Sequence, residues 1–266
     1  MAGPTTAQRG ARKAPGPAAR PPREKGPGGR LRLPGRPWMI LLVVAALLLA
    51  GGGVWALYGS TWLRIERVKS SGTQVLTPDE VLAAAAVPIG APLISVDSDA
   101  IEDRLRRKLP RIDSVDVVRS WPHAVGLKVT ERKAVLLVRQ GAQFVEVDDE
   151  SVRFATVPKA PKGVPLLELT PDQSPSLRRF GADRLMREAV RVQGEIPESV
   201  ARDVRSFKVR SYDAISLELS RGRTVDWGSS EQGEAKARTL GALMKAAPKA
   251  THFDVSAPTA PAVSGS

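Results

Sequence analysis

Cysteine is absent from the 266 residues, and histidine occurs only twice. Without cysteine there is no disulfide scaffold, thiol nucleophile or thiolate metal site. His123 follows Trp121-Pro122 in an expected hairpin turn and His252 opens an expected strand; two isolated imidazoles make no zinc site. No Walker loop, Gly-x-Ser-x-Gly elbow or His-Glu-x-x-His motif is present. Asp148-Asp149-Glu150 reads as a solvated hairpin tip, with a cation site as the rarer alternative. Asp97 and Asp99 flank a helix start, where carboxylates cap the backbone. Lys236 reads as part of a solvated helix face between Glu234 and Arg238. Carboxylate pairs on distant strands leave no local signature. The balance nonetheless favours a binding protein, with no catalytic residue, cofactor or metal expected.

Long apolar runs are scarce too, apart from Trp38–Tyr58, which carries no charge. As a helix it spans roughly 32 Å, close to the ~30 Å hydrocarbon core of a bilayer. Trp38 stands at its start and Trp55 and Tyr58 at its finish, where aromatic rings suit the headgroup level. A cleaved secretory signal is the alternative, with Trp38–Ala50 as its apolar part. It is disfavoured because the apolar pattern resumes at Val54 and fills a full span.

Net charge is +12. Residues 1–37 carry nine Lys/Arg and one Glu, so most of the excess precedes the span. A basic chain invites a nucleic-acid reading, but this placement is what the positive-inside rule requires. The expectation is a single-pass protein, N-terminus cytoplasmic and C-terminus outside, with no nucleic-acid partner. The same 37 residues hold eight Pro and seven Gly and are expected to be a disordered basic cytoplasmic tail.

After the span, Leu63–Val68 alternates apolar and charged residues and reads as a strand. Thr77-Pro78-Asp79-Glu80 is a helix start, with Thr as N-cap, Pro first and Glu third. A second helix begins near Asp97 and buries Ile101, Leu105 and Leu109 until Pro110. Two strands follow around Val115–Val117 and Val125–Val129. Next come short strands at Val135–Val138, Gln143–Val147, Val152–Val157 and Val164–Leu169, then a loop marked by Pro171 and Pro175. A helix through Leu185–Val190 leads to strands Arg205–Arg210, Ile215–Leu219 and Thr224–Trp227. A helix over Glu231–Ala246 and a terminal strand, Thr251–Val255, complete the pattern. Residues 257–266 are expected to be a flexible tail.

This order, with its motifs, resembles the bacterial cell-division family FtsQ, called DivIB in Gram-positive bacteria. Gly90-Ala91-Pro92-Leu93-Ile94-Ser95-Val96-Asp97 is similar to the family's Gly-x-Asn-Leu-Phe-x-Val-Asp. Leu109–Arg119 is similar to its Pro-x-Val-x-x-Ala-x-Val-x-Arg run. Trp121-Pro122 and Thr130-Glu131-Arg132 match its Trp-Pro and Glu-Arg signatures. Ser220–Gly228 with Lys236 resembles its late Asp-Gly-x-x-Val-x-x-Gly segment and lysine, and Phe253–Pro258 resembles its Ile-Asp-Val-Arg-x-Pro. The Pro/Ala-rich end and the Gly-rich basic start are actinobacterial in style.

The resemblance implies an α+β chain: one transmembrane helix (38–58), a POTRA domain (62–131) of β-α-α-β-β order, and a mixed β-rich FtsQ/DivIB domain (132–256). It implies a non-enzymatic divisome scaffold at the septum of the cell membrane, helping control septal wall synthesis. FtsB/DivIC-like and FtsL-like partners, with other divisome membrane proteins, are implied. His252, Phe253, Asp254, Val255, Ser256, Ala257 and Thr259 are the implied partner-binding residues, on a final strand expected at or near a sheet edge. Ile94 replaces the usual Phe, Ser256 the usual Arg, and Ala257 stands where some members carry an aromatic. A membrane-anchored envelope enzyme, a wall-binding protein and a POTRA guide for unfolded β-chains are the competing readings. The first needs buried carboxylates clustered in a cleft, and the last usually needs repeated modules.

Overall fold

A computed structural model of the chain describes residues 36–170 and 181–265. The expected tail, but for its last two residues, and the loop at Pro171 and Pro175 lie outside them. The described chain divides into a unit ending at Gly52 and one beginning at Gly53. Helix α1 (Arg36–Tyr58) covers the uncharged run. Its Pro37–Tyr58 portion has a mean hydropathy of 2.5 and none of it is buried against protein. Its length and composition make it a candidate membrane span.

The first folded module follows the expected strand–helix–helix–strand–strand order: β1 (Arg67–Ser71), α2 (Pro78–Ala85), α3 (Ser98–Lys108), β2 (Ile112–Ser120) and β3 (Ala124–Glu131). Local chemistry places both helices. Thr77 and Glu80 form a reciprocal capping box with Pro78 at the first position, and the chain leaves α2 through Ala86 in the left-handed region. Asp97 caps α3 by accepting from Ala100 N, and Arg106, Arg107 and Lys108 occupy its last turn. The strand order is β1-β3-β2 among the described residues, with β1 parallel to β3. Val81, Leu93, Ile101, Leu105, Val125 and Leu127 fill the core beneath. The first strand starts later than its alternation suggested. Leu63 belongs to a 3-10 turn, and Ile65 enters the core through an isolated bridge between Arg64 and Pro92. Pairing with β3, not side-chain alternation, sets where β1 begins.

The second module contains β4 (Leu136–Gln140), β5 (Gln143–Val147), β6 (Arg153–Val157), β7 (Leu166–Leu169), α4 (Ala182–Glu195), α5 (Glu198–Ala201), β8 (Val204–Ser211), β9 (Ala214–Leu219), β10 (Thr224–Gly228), α6 (Gly233–Ala246), β11 (His252–Asp254) and β12 (Ala262–Ser264). Among the described residues its strands form one sheet, ordered β12-β11-β10-β9-β8-β7-β4-β5-β6. The pairs β4–β7, β7–β8 and β10–β11 are parallel. Parallel neighbours need crossovers, so the sheet is not a simple run of hairpins. Leu185, Met186, Ala189 and Val190 of α4 meet Phe207, Leu217, Trp227, Leu240 and Phe253 in the core. One strand was not expected at all: β12 lies within the supposed flexible tail and pairs antiparallel with β11. A corrected boundary follows, because the folded sheet runs to Ser264 and not to residue 256.

Candidate partner-binding edge

The C-terminal end of the large sheet brings the expected residues together but divides them by role. Phe253 and Val255 are fully buried and point into the core. Val255 N donates to Asp226 O at 2.9 Å, and Thr224 N donates to Thr251 O at 2.8 Å. Alternate residues of β11 therefore turn their main-chain groups inward to β10. Phe253 and Val255, two of the expected partner-binding residues, hold the strand in place from the core and have no exposed side chain. Nor is β11 the outermost strand, because β12 covers it.

His252, Asp254, Ser256, Ala257 and Thr259 lie at the surface or partly buried. The His252 Nδ1 and Thr224 Oγ1 are 2.9 Å apart, and its Nε2 lies 3.6 Å from Asp226 Oδ2. Asp254 Oδ1 accepts from Ser256 Oγ at 2.7 Å and from Ser256 N at 2.9 Å. These bonds, with a smaller contribution from His252, hold the Asp254 carboxyl below its usual range. Asp226 and Asp254 are direct neighbours in the register, so His252 sits beside a pair of like charges.

The chain turns back at Ala257, whose carbonyl accepts from Ala260 N at 3.0 Å. It then runs along β11, pairing His252 with Ser264, Phe253 with Val263 and Asp254 with Ala262. Main-chain polarity alternates along a ladder, so Ser264 and Ala262 face β11 and Val263 turns its N–H and C=O outward. Among the described residues that outer edge has no strand neighbour. The far end of β12 is clamped. Thr251 N donates to Gly265 O at 2.8 Å, and a Cβ on Gly265, at φ 75°, would lie 2.0 Å from Thr251 Oγ1.

Beside this edge lies an open groove of about 790 Å³, bounded by Glu195, Gln232, Gly233, Arg238, Pro258 and Thr259. Thr259 is one of the residues expected from the sequence, whereas the N-terminus of α6 comes near it only in the fold. Lys236, on the second turn of α6, is buried instead of solvated and donates to Ser229 O at 2.8 Å. Desolvation lowers its pKa and raises that of Glu195. Glu188 is also buried and accepts from Ser230 Oγ at 2.5 Å.

The residues screened for chemistry have other engagements. Asp148 accepts from Glu150 N and Val152 N, closing its own turn, and pairs with Arg132. Glu146 pairs with Arg111 at 2.6 Å. His123 meets Arg67 at 2.9 Å in the β2–β3 turn. Among the described residues no three His, Asp or Glu side chains are grouped to hold a metal.

Comparison with known proteins decides what this architecture is. A cell division protein FtsQ of Streptomyces coelicolor is 65% identical over the whole of both chains. The chain belongs to the FtsQ family of cell-division proteins. A Streptomyces griseus relative of the same description is 72% identical, covering 78% of this chain and all of its own. Residues 63–132 match the family described as "POTRA domain, FtsQ-type", which is the β1–β3 module. Among solved structures, the major extracytoplasmic domain of DivIB from Geobacillus stearothermophilus overlaps 44% of this chain and 94% of its own, at 16% identity and a TM-score of 0.33. The protein is thus a division protein with a candidate membrane span, a POTRA domain and a β-rich region.

Proposed function

We propose that this chain is a non-enzymatic scaffold of the divisome. Its N-terminus lies in the cytoplasm and its POTRA and β-rich domains lie outside the membrane. It gathers FtsB/DivIC-like and FtsL-like single-pass proteins, with other division membrane proteins, at the septum and so helps control septal wall synthesis. The nine basic residues before Trp38 support that orientation. A reporter fused after Ser266 is expected to be active outside, and one fused before Arg9 inside.

The observation that carries the proposal is the outer edge of β12. A strand with one neighbour offers main-chain donors and acceptors to an extended segment, which adds as a further strand. Side-chain selection then falls to His252, Asp254 and Thr259 around it, with the α6 groove as the neighbouring pocket. Pro258 and Pro261 precede β12 and leave Ala262–Ser264 free to pair.

The experiment is a pull-down of an FtsB-like extracytoplasmic segment by full-length protein in detergent. Val263→Pro removes an outward-facing donor and is expected to weaken capture while circular dichroism stays unchanged. Capture as strong as that of the parent by a folded Val263→Pro variant would move the partner to another surface.

A further inference from the structure

Five large apolar side chains stand out from the POTRA domain: Trp62 is 71% exposed, Val75 65%, Ile89 63%, Val118 52% and Trp121 50%. Three of them share one end, gathered by a single stretch of backbone, Arg64–Arg67. Ile65 N donates to Ala91 O at 2.9 Å, Gly90 N to Ile65 O at 2.8 Å, and the Arg64 guanidinium to Gly90 O at 2.9 Å. These bonds hold the loop that carries Ile89. Glu66 N donates to His123 O at 2.9 Å, and the Arg67 guanidinium meets the His123 ring at 2.9 Å. These bonds hold the hairpin tip that carries Trp121. Trp62 stands two residues upstream of the same stretch, its N–H bonded to Ser60 Oγ.

Val75 marks the other end. Its N–H donates to Glu131, the last residue of β3, about 26 Å of strand from the hairpin tip.

The end with three exposed apolar groups is also where the chain arrives from α1. Tyr58 closes that helix, and Gly59 and Ser60 alone separate it from the turn holding Trp62. Four residues reach at most about 14 Å, so Trp62 stays within that distance of Tyr58, the last residue of the span's aromatic end. We propose that Trp62, Ile89 and Trp121 seat the POTRA domain in the lipid headgroup region at the C-terminal end of the span.

The chemistry fits a bilayer interface. Trp rings combine apolar area with an N–H and concentrate at headgroup depth. Ile89, on a loop tip between them, supplies purely apolar surface for the acyl boundary. Arg64 and Arg67 lie among the three and suit lipid phosphate. A free protein partner would have to find this patch by diffusion, whereas the tether holds it at the membrane and makes docking an intramolecular event. Once seated, the domain has a fixed orientation to the bilayer. The inference rests on the span alone and is independent of topology and of any division partner.

The absence of cysteine makes the test direct. Full-length protein carrying Ile89→Cys or Val75→Cys is reconstituted in phosphatidylcholine–phosphatidylglycerol nanodiscs and labelled with an environment-sensitive dye. The expected result at position 89 is a blue-shifted emission shielded from aqueous iodide and quenched by bromolipid. At position 75 the dye reports water. Adding Trp62→Ser and Trp121→Ser to Ile89→Cys is expected to return its emission to the aqueous value, with circular dichroism unchanged. Aqueous emission from position 89 in the otherwise unaltered protein would overturn the proposal. So would equal shielding at both positions, or shielding at position 89 that appears only when a second protein is added.

Discussion

Arg132, the last residue of the POTRA match, donates to the carboxylate of Asp148, which lies almost wholly buried in the next domain. The same guanidinium reaches Glu150 at 3.1 Å and Asp113 at 3.5 Å. Beside it Arg111 pairs with Glu146 at 2.6 Å and lies over the Phe154 ring at 5.2 Å. Two arginines thus fasten the two modules across the four residues that join β3 to β4.

Arg132→Ala leaves the Asp148 carboxylate buried without its cation. Breaking a buried pair from one side costs about 3 kcal/mol or more. Urea denaturation followed by circular dichroism is expected to show a lowered midpoint. Arg106→Ala, which breaks an exposed pair with Asp103, serves as the control and is expected to change stability little.

Lys236→Met addresses the buried ammonium of α6. Desolvation lowers the folded-state pKa of Lys236 below 10.5, so the folded protein holds that proton less tightly than the unfolded chain. The resulting penalty is fully present below the folded pKa and is relieved as pH rises from that value towards 10.5. The parent protein is therefore expected to gain stability relative to Lys236→Met as pH climbs through that window, with a constant difference below it. Urea titrations at a series of alkaline pH values measure this; a parallel pair of curves would count against it.

Gly265→Ala places a Cβ against Thr251 Oγ1 at a left-handed φ. The strain alone is on the order of 1–2 kcal/mol, more than a three-residue strand can hold. The end of β12 is expected to detach while the rest of the sheet survives. Faster amide exchange at Thr251, with unaltered protection at Val225 and Leu217, is the signature.

Val255→Pro acts inside the sheet. It removes the donor to Asp226 O and forces a ring into a buried site, at a cost of about 1–3 kcal/mol for the unpaired carbonyl alone. A fall in Tm is the expected outcome, and any weaker partner capture by this variant reports lost structure. Val263→Pro is expected to leave Tm nearly unchanged.

The sequence by itself determined whatever depends on near neighbours. Thr77 and Glu80 cap a helix wherever that helix packs, because their partners are three residues apart. Trp38–Tyr58 is uncharged over a bilayer's thickness in any context. The alternation around Phe253 and Val255 marks a strand correctly, but period two says only that two faces differ. Which face is the core was decided by the helices that cover it, so two residues taken for contacts proved to be interior. Lys236 followed the same logic: its helix was legible, its burial was not. Ala262-Val263-Ser264 shows no strand pattern, and these residues pair only because β11 presents an edge to them. The bonds of Arg132 to Asp148 and of Arg111 to Glu146 join residues 16 and 35 positions apart. No local signal encodes such separations; they exist because tertiary structure brings two domains face to face and excludes water from the charges between them.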